Sequence, residues 1–270
     1  MGRRVSRVIT SLTNPTVKAV RALHQRKARE ETGLFLAEGL KIVAEAVEMR
    51  HAPRTLMFSA EAGAHPVLRR VVEATERARG EVLEVGRDVL EKVSRRDNSQ
   101  TVIGVFEQRF TALADIRPGS APVWVALEQV RDPGNLGTVI RTADAAGCGG
   151  VILIGDCVDP FSVEGVRATM GSIFAVPIIK ATREAFLAWR AAWPGSVVGT
   201  HLKATHGYRD APYRTPTLLV MGPEQAGLSE GVADACDLLV KIPMRGRADS
   251  LNLAVATGVM IYAATDALIV

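Results

Sequence analysis

The second half of the chain constrains the fold most, because short aliphatic runs stand at 123–127, 150–154, 197–200 and 218–221. Each is too short for a helix and is rich in Val, Ile and Leu without polar alternation. Such runs fit a parallel sheet covered by helices on both faces, where both sides of every strand are buried. Segments of helical spacing lie among them, at 136–146, 184–192 and 252–264. The first half alternates the same element types. Strands are expected at 34–36, 54–59, 81–85 and 101–106, and helices at 17–29, 38–49, 66–79 and 88–93. That alternation predicts a small α/β domain. Pro118, Gly119, Ser120 and Pro122 mark a linker, so the expected division is 1–109, a linker at 110–122, and 123–270.

Charge separates the halves further. The net charge is +4, but residues 1–120 hold 21 Lys/Arg against 15 Asp/Glu, and residues 121–270 hold 12 against 14. Residues 1–29 carry eight basic side chains and no acidic one. A segment of that kind suits a polyanion, since each neutralised phosphate releases counterions; a solvated arm without a ligand is the alternative. Arg21, Arg26, Lys27 and Arg29 are the candidate phosphate contacts. Cys148, Cys157 and Cys236 form no C-x-x-C pair and the five histidines show no ligand spacing, so neither a metal site nor a disulfide framework is expected. A reducing, cytoplasmic location follows. The basic N-terminus lacks the apolar core of a secretory signal. Residues 251–270 are almost wholly apolar, yet the uncharged run 250–265 falls short of the ~20 residues that span a bilayer. A buried helix is expected there, with no membrane anchor.

Common nucleotide chemistry is missing: there is no G-x-G-x-x-G after a strand and no G-x-x-x-x-G-K-[ST]. Three clusters remain, each at or after the C-terminal end of an expected strand, the edge where open α/β sheets bind ligands. The first runs from Glu128 through Asp132-Pro-Gly, Asn135 and Gly137 to Arg141. Asn135 is expected to cap a helix, and Arg141 sits inside it among apolar neighbours, where an unpaired charge would be expensive. It serves either an internal salt bridge or a phosphate or reacting oxygen. The second cluster runs Gly222-Pro-Glu224-Gln-Ala-Gly227-Leu-Ser229. Glycines there permit close backbone approach to a ligand or simply turn the chain. The third runs Ile242-Pro-Met to Ser250-Leu251-Asn252, with Pro243 ending a strand and Ser250 and Asn252 as caps or site residues.

Together, Asn135-x-Gly137-x-x-x-Arg141, Gly222-x-Glu224-x-x-Gly227-Leu-Ser and Ile242-Pro-Met…Ser250-Leu-Asn252 resemble the three motifs of the SpoU, TrmH-like branch of the SPOUT RNA methyltransferases. The segment Arg167-Ala-Thr-Met-Gly171 resembles a further family stretch, and Asn14-Pro…Gly33-Leu-Phe-Leu-Ala-Glu38-Gly39 resembles a front substrate-binding domain. Pro223 departs from the asparagine many relatives have there and removes a backbone N–H. The resemblance implies a parallel sheet with a deep C-terminal trefoil knot, an exception to un-knotted topology. It implies a homodimer, and S-adenosylmethionine held largely by backbone around Thr200, Gly222, Ile242 and Leu251. It implies methyl transfer to a ribose 2′-hydroxyl, with Arg141, Asn135, Glu224, Ser250 and Asn252 as catalytic candidates. The implied substrate is structured RNA, ribosomal RNA first and transfer RNA second. A catalytically silent RNA-binding dimer acting in ribosome assembly stays open as the alternative.

Overall fold

A computed structural model describes residues 8–63, 65–95, 100–223 and 226–268. It divides into two compact units, one of Met1–Gln108 with Phe161–Phe174, the other of Arg109–Pro160 with Ala175–Val270. In chain order the first unit holds α1 (Pro15–Ala22), α2 (Arg26–Thr32), β1 (Leu34–Glu38), α3 (Leu40–Glu48), β2 (Thr55–Phe58), α4 (Pro66–Arg77), β3 (Glu81–Glu84), α5 (Arg87–Ser94) and β4 (Val102–Glu107). The strands form one sheet in the order β1-β4-β2-β3, with only β2 and β3 parallel. Alternate strand residues face opposite sides. Leu36, Met57, Ile103 and Val105 therefore pack with Val17 and Val20 of α1 and Val89, Leu90 and Val93 of α5.

The basic helix expected over 17–29 is two helices. The chain turns at Leu23–Gln25, and the buried Arg29 reaches back from α2 to donate from Nη1 to the Leu23 carbonyl at 2.8 Å. A carbonyl left over at the end of α1 thus finds a partner. Glycine at position 33, with φ +66°, then closes α2 in the left-handed conformation that an L side chain adopts poorly.

The second unit begins with β5 (Val123–Glu128), α6 (Pro133–Ala145) and β6 (Val151–Ile154). The chain next contributes α7 (Val163–Thr169) to the first unit. It then continues with β7 (Ile178–Ala181), α8 (Arg183–Arg190), β8 (Val197–Thr200), β9 (His206–Gly207), β10 (Thr217–Met221), α9 (Glu230–Asp234), β11 (Leu238–Lys241) and α10 (Leu253–Leu268). All seven strands run parallel, in the order β7-β6-β5-β10-β8-β11-β9. Every residue of β5, β6 and β10 is buried, as two-sided coverage requires. One face packs Trp124, Ile152 and Val220 with Phe186 of α8 and Val232 of α9. Helices α6 and α10 pack against each other, and α10 also lies on β5 and β10.

The expected division at 109–123 does not anticipate the excursion of Phe161–Phe174 into the first unit. Its aromatic ends explain it: the Phe161 ring lies 4.7 Å from Phe35, and Phe174 lies 4.7 Å from Phe106. Within the same unit, Arg167 Nη2 of α7 meets the buried Glu38 carboxylate of β1 at 2.7 Å.

Candidate functional site

Because the sheet is parallel, every strand of the second unit ends at the same edge, and the three sequence clusters follow β5, β10 and β11. At that edge one half-open cleft is lined by Thr200, Met221, Gly222, Ile242, Ser250 and Leu251 among others. All four residues expected at the cofactor, Thr200, Gly222, Ile242 and Leu251, share it, with Ser250 on the same wall. The walls are mainly apolar, with Met244 and Leu253 adding to Met221, Ile242 and Leu251, as small-molecule sites usually are. Gly222 is required by close packing rather than by its dihedral angles. A Cβ built there would stand 2.4 Å from the Gly227 carbonyl carbon and 2.5 Å from the Leu228 nitrogen. The two sides of the second cluster therefore touch backbone to backbone.

A buried carboxylate fixes the far side of that loop. Glu128, at the end of β5, is only 2% exposed. It accepts from the Ser229 backbone N–H at 2.8 Å, from Ser229 Oγ at 2.6 Å and from Arg183 Nε at 3.2 Å. Charge-assisted bonds of this kind satisfy a carboxylate that burial would otherwise penalise. Sequence patterning placed Glu128 at the head of the first cluster without assigning it a task. Its partner Ser229 is 101 positions away, and no local signal links the two.

The first and third clusters meet directly. Asn252 donates from Nδ2 to Asn135 Oδ1 at 2.8 Å, while Asn252 Oδ1 accepts from the Ala254 and Val255 backbone N–H groups at 3.0 and 3.3 Å. Asn252 is thus the residue that caps α10, and Ser250 turns toward the cleft instead. Asn135 is not the cap of α6, contrary to expectation. Asp132 takes that position and accepts from the Asn135 N–H at 2.6 Å, and the Asn135 side chain meets Asn252. Glu224 lies outside the described residues.

Arg141 differs from expectation in its setting. Val139, Ile140 and Ala143 are indeed core residues, but Arg141 is exposed, on a stripe of α6 with Thr138 and Ala145. Among the described residues it has no carboxylate partner. The basic-arm candidates also divide. Arg21 is exposed; Arg26 and Lys27 are exposed but pair with Glu30 at 2.7 Å and Glu31 at 3.8 Å. Arg29 is buried and committed to the Leu23 carbonyl, so its position is structural rather than that of a phosphate contact. No group of His, Cys, Asp or Glu among the described residues is placed to hold a metal ion. No described helix is long and apolar enough to cross a membrane.

Residues 122–262 match the SpoU rRNA Methylase family, and residues 14–104 match the MRM3-like substrate binding domain. The chain belongs to the SpoU rRNA methylase family. It is 30% identical over 254 residues to the 23S rRNA (guanosine(2553)-2′-O)-methyltransferase RlmP of Bacillus subtilis, covering 94% of this chain and 97% of that one. It is 31% identical over 249 residues to the 23S rRNA (uridine(2479)-2′-O)-methyltransferase of Streptomyces viridochromogenes, covering 90% and 86%. Among solved structures it resembles an AdoMet-bound rRNA methyltransferase from Sinorhizobium meliloti, with TM-score 0.91 and 49% identity over 98% of this chain and 99% of that one.

Proposed function

We propose that this protein transfers the methyl group of S-adenosylmethionine to a ribose 2′-hydroxyl of structured RNA, with 23S ribosomal RNA as the substrate class. The observation that carries the reading is the Asn252–Asn135 bond of 2.8 Å. It joins the first and third motifs beside a cleft lined by the second and third. The residues fit the cofactor. Apolar side chains offer walls for an adenine ring and a methionine chain, and the strand ends at Thr200 and Gly222 bring backbone groups to the cleft without bulk. When bound, S-adenosylmethionine supplies an activated methyl group.

The chain's own residues then have distinct tasks. Arg141, exposed and without a carboxylate partner among the described residues, orients the ribose hydroxyl and a neighbouring phosphate through its planar set of donors and stabilises charge gathering on the 2′-oxygen. A guanidinium is a poor proton acceptor, so orientation is its main contribution. Asn135 and Asn252 tie α6, which carries Arg141, to the start of α10, and Ser250 and Glu224 belong to the same constellation. The knot of the SPOUT fold belongs to this reading too. So does a homodimer in the cytoplasm. Its support is α10, apolar on most sides, where Val255 and Tyr262 stay 53% and 48% exposed seven residues apart on one face. Residues 1–109 take the role of gripping RNA, with Arg21, Arg26 and Lys27 as phosphate contacts.

Two measurements test the reading. Mapping 2′-O-methyl sites in ribosomal RNA with and without the gene should reveal one site that depends on it. Calorimetry with S-adenosylhomocysteine in EDTA should give a binding isotherm. A complete methylation map in the deletion strain together with no heat at millimolar ligand rejects methyl transfer and leaves the silent RNA-binding dimer.

A further inference from the structure

The cofactor cleft opens between two loops whose charge is unlike that of the rest of its unit. Residues 121–270 carry more acidic than basic side chains overall. Yet residues 201–207 hold Lys203 with no acidic residue, and residues 241–250 hold Lys241, Arg245 and Arg247 against Asp249 alone. These four cations are all exposed. Each lies within three positions of a cleft residue: Lys203 follows Leu202, Lys241 itself lines the cleft, Arg245 follows Met244, and Arg247 stands three before Ser250. None of them pairs with a carboxylate among the described residues. Elsewhere in the unit Arg131, Arg183 and Arg190 are paired with Asp156, Glu128 and Asp237. The basic arm has Arg26 and Lys27 neutralised by carboxylates one turn away and Arg29 buried. Arg21 stays exposed on the arm, and the four cations at the mouth of the cleft form a second group without carboxylate partners among the described residues.

We infer that Lys203, Arg245 and Arg247 form an RNA-binding surface on the catalytic unit, which holds the phosphates flanking the target ribose. The inference rests on the methyltransferase reading, because it takes the acceptor to be a polyanion that must reach this cleft. Charges of one sign beside low-dielectric apolar walls focus their field outward and raise the local concentration of an opposite charge. An RNA strand whose ribose enters the cleft brings phosphates on both sides of it to the rim. Neutralising those phosphates releases counterions, which gives affinity without base recognition.

The test uses the full chain, the triple variant Lys203→Ala/Arg245→Ala/Arg247→Ala, and a comparison variant Arg21→Ala/Arg26→Ala/Lys27→Ala. The probe is fluorescently labelled, unmethylated 23S rRNA transcript, titrated at several salt concentrations. The rim variant should bind at least ~10-fold more weakly near 50 mM salt, with its log–log salt slope reduced by about two. The arm variant should change the slope less. Thermal melts and S-adenosylhomocysteine affinity should stay at wild-type values in both, since none of the substituted residues lines the cleft. A rim variant with normal cofactor binding and an unchanged salt slope overturns the inference. In the wild-type protein, acylation of Lys203, read by mass spectrometry, should be suppressed by the transcript; equal labelling with and without RNA also overturns it. Wild-type protein that binds S-adenosylhomocysteine but no RNA rejects the RNA substrate itself, a result distinct from loss confined to the rim variant.

Discussion

Arg141 stands on the exposed stripe of α6 between small neighbours, with no ion pair among the described residues to maintain. Arg141→Ala should therefore leave stability within about 0.5 kcal/mol of wild type, as surface substitutions generally do. Turnover is another matter. Arg141→Lys keeps the charge and loses the planar fork, so both variants should lower the single-turnover methylation rate by ~100-fold or more. Near-normal turnover in Arg141→Ala removes the catalytic role. Glu128 is the opposite case, buried and saturated with donors. Glu128→Gln turns one acceptor into an NH₂ group facing donors and should cost on the order of 1–3 kcal/mol. It should also weaken S-adenosylhomocysteine binding, because Ser229 holds the strand of loop against which Gly222 packs. Unchanged cofactor affinity alongside a lower melting temperature would confine Glu128 to stability. His24 gives a pH dependence. Partial burial lowers its pKa below the usual imidazole value, against an opposing bond to the Val93 carbonyl at 2.6 Å, which its Nε2–H donates. The folded state thus prefers neutral imidazole. Stability from this group is present above the unfolded value and lost as pH falls below about 6.5 toward the folded pKa. His24→Gln should flatten the acid limb of a melting-temperature profile between pH 7 and 5.

At the scale of elements, the cleft is made by turns that tolerate little change. An alanine in place of an unstrained glycine often stabilises slightly through the unfolded chain. Gly222→Ala should destabilise instead and abolish cofactor binding, because the new Cβ meets backbone at 2.4 Å and no rotamer can relieve it; a variant that binds S-adenosylhomocysteine normally would show that the loop can open. Asn252→Ala should cost ~1 kcal/mol through the α10 cap and lose the bond to Asn135. The strands that position these turns were legible because they are uniformly aliphatic. Parallel order then places three motifs, far apart in sequence, at one edge. Other features left weaker signals. The strand β7 follows Pro177 and includes Lys180, so its four residues do not read as a buried run. The break between α1 and α2 has no Pro or Gly at Leu23–Gln25; its cause is the long-range fit of buried Leu23 and Arg29. The local sequence suggested Asn135 as a cap, but Asp132 stands three residues earlier, just before the Pro133 that opens α6, and accepts the Asn135 N–H itself. Pairings such as Glu128 with Ser229 depend on tertiary neighbours and have no periodic trace.

At the scale of the whole molecule, the chain passes between its two units three times: at Gln108–Arg109, Pro160–Phe161 and Phe174–Ala175. A linker near 110–122 suggests two separable domains, and a fragment lacking 1–109 is the natural experiment. Phe161–Phe174 changes the expected result. In the intact chain Phe161 and Phe174 are 2% and 8% exposed, and their ring partners Phe35 and Phe106 both belong to the segment that would be removed. Val163 likewise packs on the core of Val17, Val89 and Ile103, and Arg167 loses Glu38. Fully burying such a side chain is worth about 1.5–3 kcal/mol relative to leaving it in water, so stripping two phenylalanines and Val163 removes a sizeable part of a typical domain's margin. The fragment 110–270 should therefore bind a hydrophobic dye and aggregate at concentrations where the full chain stays dispersed, despite a sheet that retains all seven strands. Replacing both phenylalanines in the fragment, Phe161→Ser and Phe174→Ser, should restore dispersion without restoring RNA methylation. Size-exclusion chromatography with dye fluorescence distinguishes the outcomes. An unmodified fragment that stays dispersed, dye-free and competent for S-adenosylhomocysteine would show that the 161–174 excursion contributes no stability of its own.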